Sequence, residues 1–113
     1  MRLINQTKNS ILAEEVFLAD TSLKRLKGLL GKKLLPSGQA LIIRPCSSVH
    51  TFFMRFAIDV IFVNKQDQII RVIPDLKPFS MTRPYFHAAY VVELPVGVIK
   101  STASLPGDTL KLD

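Results

Sequence analysis

The chain has 113 residues, of which 48% are hydrophobic and 21% are charged. This profile differs from that of a disordered protein, and we expect one domain covering residues 1–113 with one core. The apolar stretches are too short to span a membrane, which takes about 20 residues. A single cysteine excludes an intrachain disulfide and, with a polar N-terminal segment, favours a cytoplasmic protein.

Short apolar runs separated by turn residues dominate the chain and predict β-strands. In chain order, the expected strands cover residues 2–5, 11–18, 39–43, 49–54, 58–63, 69–73, 89–94 and 109–112. The first two are expected to form a hairpin, as are the strands on either side of the polar turn 64–68. An amphipathic helix is predicted near residues 21–30, where leucines share one face behind N-cap oxygens, and a single helical turn is expected within 95–104.

The predicted fold class is mainly β: a single-domain antiparallel β-sandwich or barrel with one short amphipathic helix near residues 21–30. A long connection runs from Asp75 to His87 and contains two prolines. Connections of this length are often functional.

Cys46 and His50 are the first candidates for chemistry, as a nucleophile with its base. A helix would bring them together, but on a strand they would lie about 13 Å apart, so the dyad needs a turn between them. The alternative is that the cysteine is a small buried hydrophobe. Zinc requires three or four ligands, and the other histidine, His87, has no nearby cysteine, so we expect neither metal nor cofactor.

Asp59 lies in the apolar run IDVIFV, on the face of Ile61 and Val63, and the opposite face is apolar too. A carboxylate there needs a partner, because leaving it buried and unpaired costs several kcal/mol. The possible partners are Arg55, Arg25, His50 and backbone N–H groups. Asp59 then either anchors a loop or a helix end, or takes part in binding or acid–base chemistry.

Glu93 raises the same question, because it too is an acid at the end of an apolar strand. The two carboxylates, Asp59 and Glu93, could act as an acid–base pair if the fold brings them together.

The net charge is +6, and the basic residues are densest between Lys24 and Lys33. Such a patch could bind nucleic acid or another anionic surface, with an affinity that falls steeply as salt rises. A helix with a basic outer face is more often only solvated, and no recognition-helix pattern accompanies it. Nucleic-acid binding is therefore not the leading hypothesis.

Four segments together resemble the prokaryotic family known as domain of unknown function 192: RLKGLLG, HTFFMRFAIDVIFVN, VVELPVG and PGDTLKL. The resemblance covers nearly the whole chain in the right order. It implies a compact, jelly-roll-like β-sandwich or barrel with a short early helix, and it implies no activity. The positions that match the family pattern are Arg25, Gly28, Gly31, Phe53, Met54, Ile58, Asp59 and Glu93.

The leading functional hypothesis is a small non-enzymatic domain that binds a polar small molecule or a partner segment. Its cleft would be lined by the helix, the 49–63 region and the ELP turn. The predicted ligand-binding residues are Arg25, His50, Thr51, Phe53, Met54, Asp59 and Glu93. The alternative is a hydrolase or transferase, with Cys46, His50, Asp59 and Glu93 as catalytic candidates. The composition does not indicate an oligomeric state.

Overall fold

A computed structural model describes residues 1–19, 35–51 and 55–113. Its strands are β1 (Leu3–Asn5), β2 (Ser10–Ala13), β3 (Glu15–Ala19), β4 (Gln39–Ile43), β5 (Ile58–Val63), β6 (Ile69–Leu76), β7 (Tyr90–Leu94) and β8 (Leu110–Leu112), and a short helix α1 spans Val98–Ser101. The helix predicted near residues 21–30 lies outside the described residues. Within them, no helix has the length and apolar character needed to cross a membrane.

The strands form two sheets, of order β2-β1-β8 and β3-β4-β7-β5-β6. The predicted mainly β class is confirmed, and the described strands make a sandwich-like arrangement without a closed barrel. One strand pair departs from the predicted antiparallel arrangement, because β3 and β4 run parallel.

The predicted strand 11–18 is divided between the two sheets. Strand β2 pairs with β1, as the predicted hairpin requires, but β3 pairs with β4. The backbone N–H groups of Glu14 and Glu15 both donate to the Gly38 carbonyl, at 2.9 and 3.1 Å, where the chain leaves one sheet for the other. Gly38 has a φ of 83°, which glycine adopts without steric cost.

The hairpin of β5 and β6 is confirmed, although β6 continues to Leu76, beyond the predicted end. Pro74 lies in this extension and cannot donate to a strand ladder. It is accommodated because β6 is the last strand of its sheet, where one side of the backbone has no neighbouring strand in the described order.

The central part of the five-stranded sheet is covered on both faces. One face packs against the three-stranded sheet and α1, through residues such as Leu3, Leu110, Ile61, Val92 and Ile99. The other face carries a second apolar cluster that includes Leu41, Ile58, Val60, Phe62 and Val91. Every residue of β5 and β7 is consequently buried, so apart from Asp59 and Glu93 both strands have apolar side chains on both faces rather than on alternate positions.

A buried polar network connects the start of the chain to its end. The Asn5 side-chain amide donates to Asp108 Oδ2 (2.9 Å) and to Ser104 Oγ (3.0 Å), and Lys8 Nζ lies 2.9 Å from Asp108 Oδ2. Burial raises the pKa of Asp108, but hydrogen bonds from Asn5, Lys8 and the Leu105 N–H group outweigh it and lower that pKa below its ordinary value of 3.8.

This network predicts a loss of stability in acid. Because the pKa of Asp108 is lower in the folded state, its contribution is present above the ordinary value of 3.8 and disappears as the pH falls through the folded-state pKa. Urea unfolding from pH 5 to pH 2.5 should show a steeper loss for the wild type than for Asp108→Asn. Equal slopes for the two proteins would contradict this role of Asp108.

Candidate functional site

Asp59 is fully buried, and backbone N–H groups occupy both of its carboxylate oxygens. Oδ1 accepts a hydrogen bond from the Asp75 N–H group at 2.9 Å, and Oδ2 accepts two, from Gly97 at 3.1 Å and Ile99 at 2.9 Å. A carboxylate suits this position because it only accepts hydrogen bonds and has about four lone-pair sites. Asp59 therefore connects β5 to β6 and to the first turn of α1. Of the partners considered from the sequence, the backbone N–H groups are the ones that the structure shows.

Thr51 is also fully buried, and its polar groups fix the loop of residues 77–80. Its hydroxyl donates to the Lys77 carbonyl at 2.6 Å and accepts from the Ser80 N–H group at 2.9 Å. Its backbone carbonyl accepts from the Phe79 N–H group at 2.8 Å. These contacts make Thr51 a residue that positions a loop, with little capacity left for a ligand.

Cys46 and His50 lie at the two ends of a short segment that runs beside residues 81–85. Cys46 is half-buried against the second apolar cluster, and its thiol donates to the Ser48 carbonyl at 3.0 Å. His50 is exposed and lies opposite Met81 in an isolated antiparallel bridge. The thiol hydrogen is thus directed at a backbone carbonyl. The pairing of Cys46 as nucleophile with His50 as base stays a prediction.

Glu93 lies on the opposite face of the sheet from Asp59. In the ladder of β5 and β7, Asp59 is paired with Leu94, whereas Glu93 is paired with Val60. Directly opposed residues share a face, and successive residues alternate between faces. The prediction that Asp59 and Glu93 form one acid–base pair is therefore wrong, and so is a single cleft that uses both carboxylates.

The cross-strand neighbours of Glu93 are apolar. It is 5% exposed, and its neighbours across the sheet are Leu41 and Val60. Burial raises the pKa of its carboxyl from 4.5 to about 7, because a charged carboxylate is less well solvated there than in water. Glu93 is consequently a buried acid whose charge changes with pH near neutrality.

The other predicted site residues, Arg25, Phe53 and Met54, lie outside the described residues, as does the basic patch from Lys24 to Lys33. Within the described ranges there is no group of three or more histidine, cysteine, aspartate or glutamate side chains that could hold a metal ion.

A groove of about 820 Å³ lies between the turn that joins β5 to β6 and the loop of residues 83–88. Both walls are fixed by hydrogen bonds. Asn64 Oδ1 accepts from the N–H groups of Gln66 and Gln68, both at 2.9 Å, and the Tyr85 carbonyl accepts from Ala88 at 2.8 Å. The groove therefore has a defined shape before any ligand binds, and its volume falls within the range of small-molecule sites.

The groove combines basic and apolar side chains. Lys65, Arg83 and His87 supply its basic groups, with Ile70, Tyr85 and Phe86 among its apolar ones, and none of the lining residues in the described part of the chain is a carboxylate. The Arg83 guanidinium lies 5.7 Å from the centre of the Tyr85 ring, within the range of a cation–π interaction. Such a surface is suited to an anion that also carries an apolar or flat part.

Asp67 is the acid of the β5–β6 turn itself, and a tyrosine hydroxyl contacts it. Tyr90 Oη donates to Asp67 Oδ1 at 2.8 Å. Burial raises the pKa of the Tyr90 phenol, and the bond to Asp67 raises it further, so the hydroxyl stays protonated as a donor. This contact directs the Asp67 carboxylate to Tyr90 rather than to the groove.

The groove was not predicted from the sequence, although the long connection of residues 75–87, which supplies one of its walls, was a functional candidate. The available signal was the run RPYFH, which places two basic side chains around two aromatic ones. The missing information was spatial, because Lys65 and Ile70 come from a hairpin that precedes this run by more than a dozen residues.

Comparisons with known proteins connect the chain to a family. The model of DUF192, described as Uncharacterized ACR, COG1430, matches residues 3–112. A UPF0127 protein from Pyrococcus furiosus is 36% identical over 96% of both chains, and one from Pyrococcus horikoshii is 35% identical over the same shares.

Solved structures agree with the fold. A protein of unknown function from Novosphingobium aromaticivorans superposes with a TM-score of 0.84 at 20% identity, covering 99% of this chain and 84% of that one. A protein from Sinorhizobium meliloti superposes with a TM-score of 0.80 at 22% identity, covering 97% and 89%. At these identities the likeness shows the fold alone. From the family model and the archaeal relatives, the chain belongs to the DUF192 family of uncharacterised proteins.

Proposed function

We propose that this protein is a small non-enzymatic binding domain and that the groove between the β5–β6 turn and residues 83–88 binds an anionic small molecule. The observation that carries the proposal is the convergence of Lys65, Arg83 and His87 on a groove that has no lining carboxylate among the described residues. A few positioned polar groups beside apolar walls are typical of small-molecule sites. This site replaces the cleft predicted from the sequence, whose two carboxylates lie on opposite faces of a sheet.

The ligand is expected to carry a phosphate or carboxylate group. Arginine binds either group through paired N–H donors, and lysine adds a point charge. The exposed Phe86 and the half-buried Tyr85 offer aromatic surface to the rest of the ligand. Cytoplasmic location is part of the same proposal, since a lone cysteine is compatible with a reducing compartment.

The hydrolase or transferase alternative receives less support from the geometry. The observation that still supports an enzyme is the buried Glu93, whose pKa of about 7 would suit a general acid or base. The wall of Leu41 and Val60 beside it is apolar, and Asp59 is held on the other face of the sheet.

The test is a titration of isotopically labelled protein with inorganic phosphate, succinate and adenosine monophosphate in low-salt buffer, followed by NMR. Saturable shifts are expected at the amides of Lys65, Tyr85, Phe86 and His87, with at least one ligand binding at or below about 1 mM. Lys65→Gln and Arg83→Gln should each weaken that binding by about 10-fold, because each removes a positive charge from the groove.

Lys111→Gln is the matched control, because Lys111 is an exposed lysine on β8, in the other sheet. It removes the same net charge and should leave the affinity unchanged. The proposal fails if none of the three anions produces localised shifts at 10-fold above that concentration, or if Lys111→Gln weakens binding as much as the groove variants do.

A further inference from the structure

Exposed and inward-facing side chains alternate along residues 77–83, which make a turn at Pro78 and Phe79 and then run beside residues 49–51 through the β-bridge at Met81. Phe79 is 73% exposed and Met81 is 68% exposed, whereas Thr82 is buried. Lys77 and Arg83 are exposed at the two ends of the segment. The segment therefore presents two large apolar side chains between two basic ones on its outer face.

One edge of this segment is already paired. The Thr51 N–H group donates to the Ser80 carbonyl, and the Thr82 N–H group donates to the Val49 carbonyl, both at 2.8 Å. Met81 lies between these two bonds, so it belongs to a non-hydrogen-bonded pair of the antiparallel ladder. In such a pair the backbone N–H and C=O groups point away from the partner strand.

The opposite edge offers backbone groups to another chain. In the described part of the protein, nothing hydrogen-bonds to the N–H or C=O group of Met81, and the same holds for the N–H group of Arg83. Unpaired groups at the edge of an extended segment are a template for strand addition. The left-handed backbone of Phe79 and the proline at 84 limit that template to residues 80–83.

Phe79 is held in a conformation that few aromatic residues adopt. Its φ is 60°, in the left-handed region, which is an outlier for a bulky side chain. The contacts of the buried Thr51 with Lys77, Phe79 and Ser80 maintain it. The hydrogen bonds of Thr51 thus hold the exposed Phe79 ring in place. Backbone strain maintained in this way is typical of functional positions.

Charge distinguishes between the possible occupants of this edge. Lys77 already pairs with Asp75 at 2.7 Å, while the Arg83 guanidinium contacts the Tyr85 ring and keeps its N–H donors. A second copy would bring a net charge of +6 against the same charge, which opposes association. An acidic partner meets no such repulsion.

We propose that the edge of residues 80–83 binds an extended, acidic peptide segment of a partner protein by β-strand addition. The backbone of that segment pairs with Met81 and with the Arg83 N–H group. Its alternate side chains contact Phe79 and Met81, and an acidic side chain pairs with Arg83. Arg83 is shared with the groove, but the strand pairing at Met81 and the contacts with Phe79 do not depend on an anion bound there.

The probe is the acetylated and amidated heptapeptide Thr-Val-Thr-Val-Thr-Glu-Thr, which places two valines and one glutamate on one face of a strand. Added to isotopically labelled protein, it should shift the amides of Met81 and Arg83 and bind at or below about 1 mM. The same peptide with lysine in place of glutamate should bind at least 5-fold more weakly. Equal binding of the two peptides, or no binding of either, overturns the proposal.

Met81→Pro removes the N–H group that the proposal requires, at an edge position where proline is compatible with the existing pairing. It should weaken peptide binding about 10-fold or more, whereas Met81→Ala keeps the N–H group and should retain more of the affinity. A wild-type spectrum away from residues 79–83 shows that the variant is folded. Unchanged affinity of a folded Met81→Pro overturns the proposal.

Two further measurements exclude other occupants. Sedimentation velocity should show the wild type as a monomer. A dimer that disappears in Met81→Pro would mean that a second copy occupies the edge and would overturn the proposal. The protein should not bind to vesicles of anionic phosphatidylglycerol through Phe79 and Met81, as measured by its co-sedimentation with the vesicles. Loss of vesicle binding in Phe79→Ser, without peptide binding by the wild type, would assign the surface to lipid and overturn the proposal.

Discussion

Replacing Asp59 by alanine is expected to lower the free energy of unfolding by about 4 kcal/mol, a large fraction of the stability of a small domain. The substitution leaves three N–H groups, those of Asp75, Gly97 and Ile99, without their acceptor. Each lies where the chain must turn or begin a helix. Asp59→Asn should cost less, because one carbonyl oxygen remains as an acceptor. Urea unfolding at pH 7 measures both effects.

Asp75→Asn provides the matched control for this experiment. The Asp75 side chain is exposed and pairs with Lys77 on the surface, while its backbone N–H group, which the substitution keeps, is what binds Asp59. Its φ of 54° is also compatible with asparagine. The change should cost less than about 1 kcal/mol. A ligand-site residue would behave differently, since such residues often tolerate substitution or gain stability. A loss below about 1 kcal/mol in Asp59→Ala would contradict the anchoring role.

Replacing Glu93 by glutamine is expected to make the protein more stable at pH 8 by up to about 3 kcal/mol and to have little effect at pH 4.5. Burial raises the pKa of Glu93 from 4.5 to about 7, so between these values the folded state binds more protons than the unfolded state. The contribution of Glu93 to the stability of the wild type should therefore fall as the pH rises from 4.5 to 7 and level off above it. The neutral glutamine does not titrate and removes this fall.

The measurement is the difference in unfolding free energy between wild type and Glu93→Gln at pH 4.5, 6, 7 and 8, because the difference cancels all other titrating groups. Glu15→Gln is the control, since the Glu15 side chain is exposed on β3 and its carboxylate stays in water in both states. A pH-independent difference for Glu93→Gln would show that its carboxyl is solvated in the folded protein and would remove the main support for an acid–base role.

The faces of β5 were predictable from the sequence, and so was the need for a partner at Asp59. The prediction placed Ile61 and Val63 on one face and Ile58, Val60 and Phe62 on the other, and the two apolar clusters divide these residues in the same way. Side chains alternate in any strand, so this inference needs no tertiary contact. A buried carboxylate must likewise be satisfied in any fold.

The identity of that partner was not predictable. Gly97 and Ile99 follow Asp59 by about forty positions, and only the packing of α1 against the sheet brings their N–H groups to its carboxylate. The relation of Asp59 to Glu93 was equally hidden, because composition places both acids in apolar strands without saying how those strands are registered. The register of β5 and β7 decides that they lie on opposite faces.

The sequence by itself determined the mainly β class, the two hairpins, the short helical turn near the C-terminus and the family. These follow from local alternation, turn residues and motif order, which are properties of neighbouring positions. Tertiary structure decided the division of residues 11–18 between two sheets, the parallel pairing of β3 with β4, and the groove that joins Lys65 to Arg83 and His87. Each of these depends on contacts between segments distant in the chain, and such contacts leave no local pattern to read.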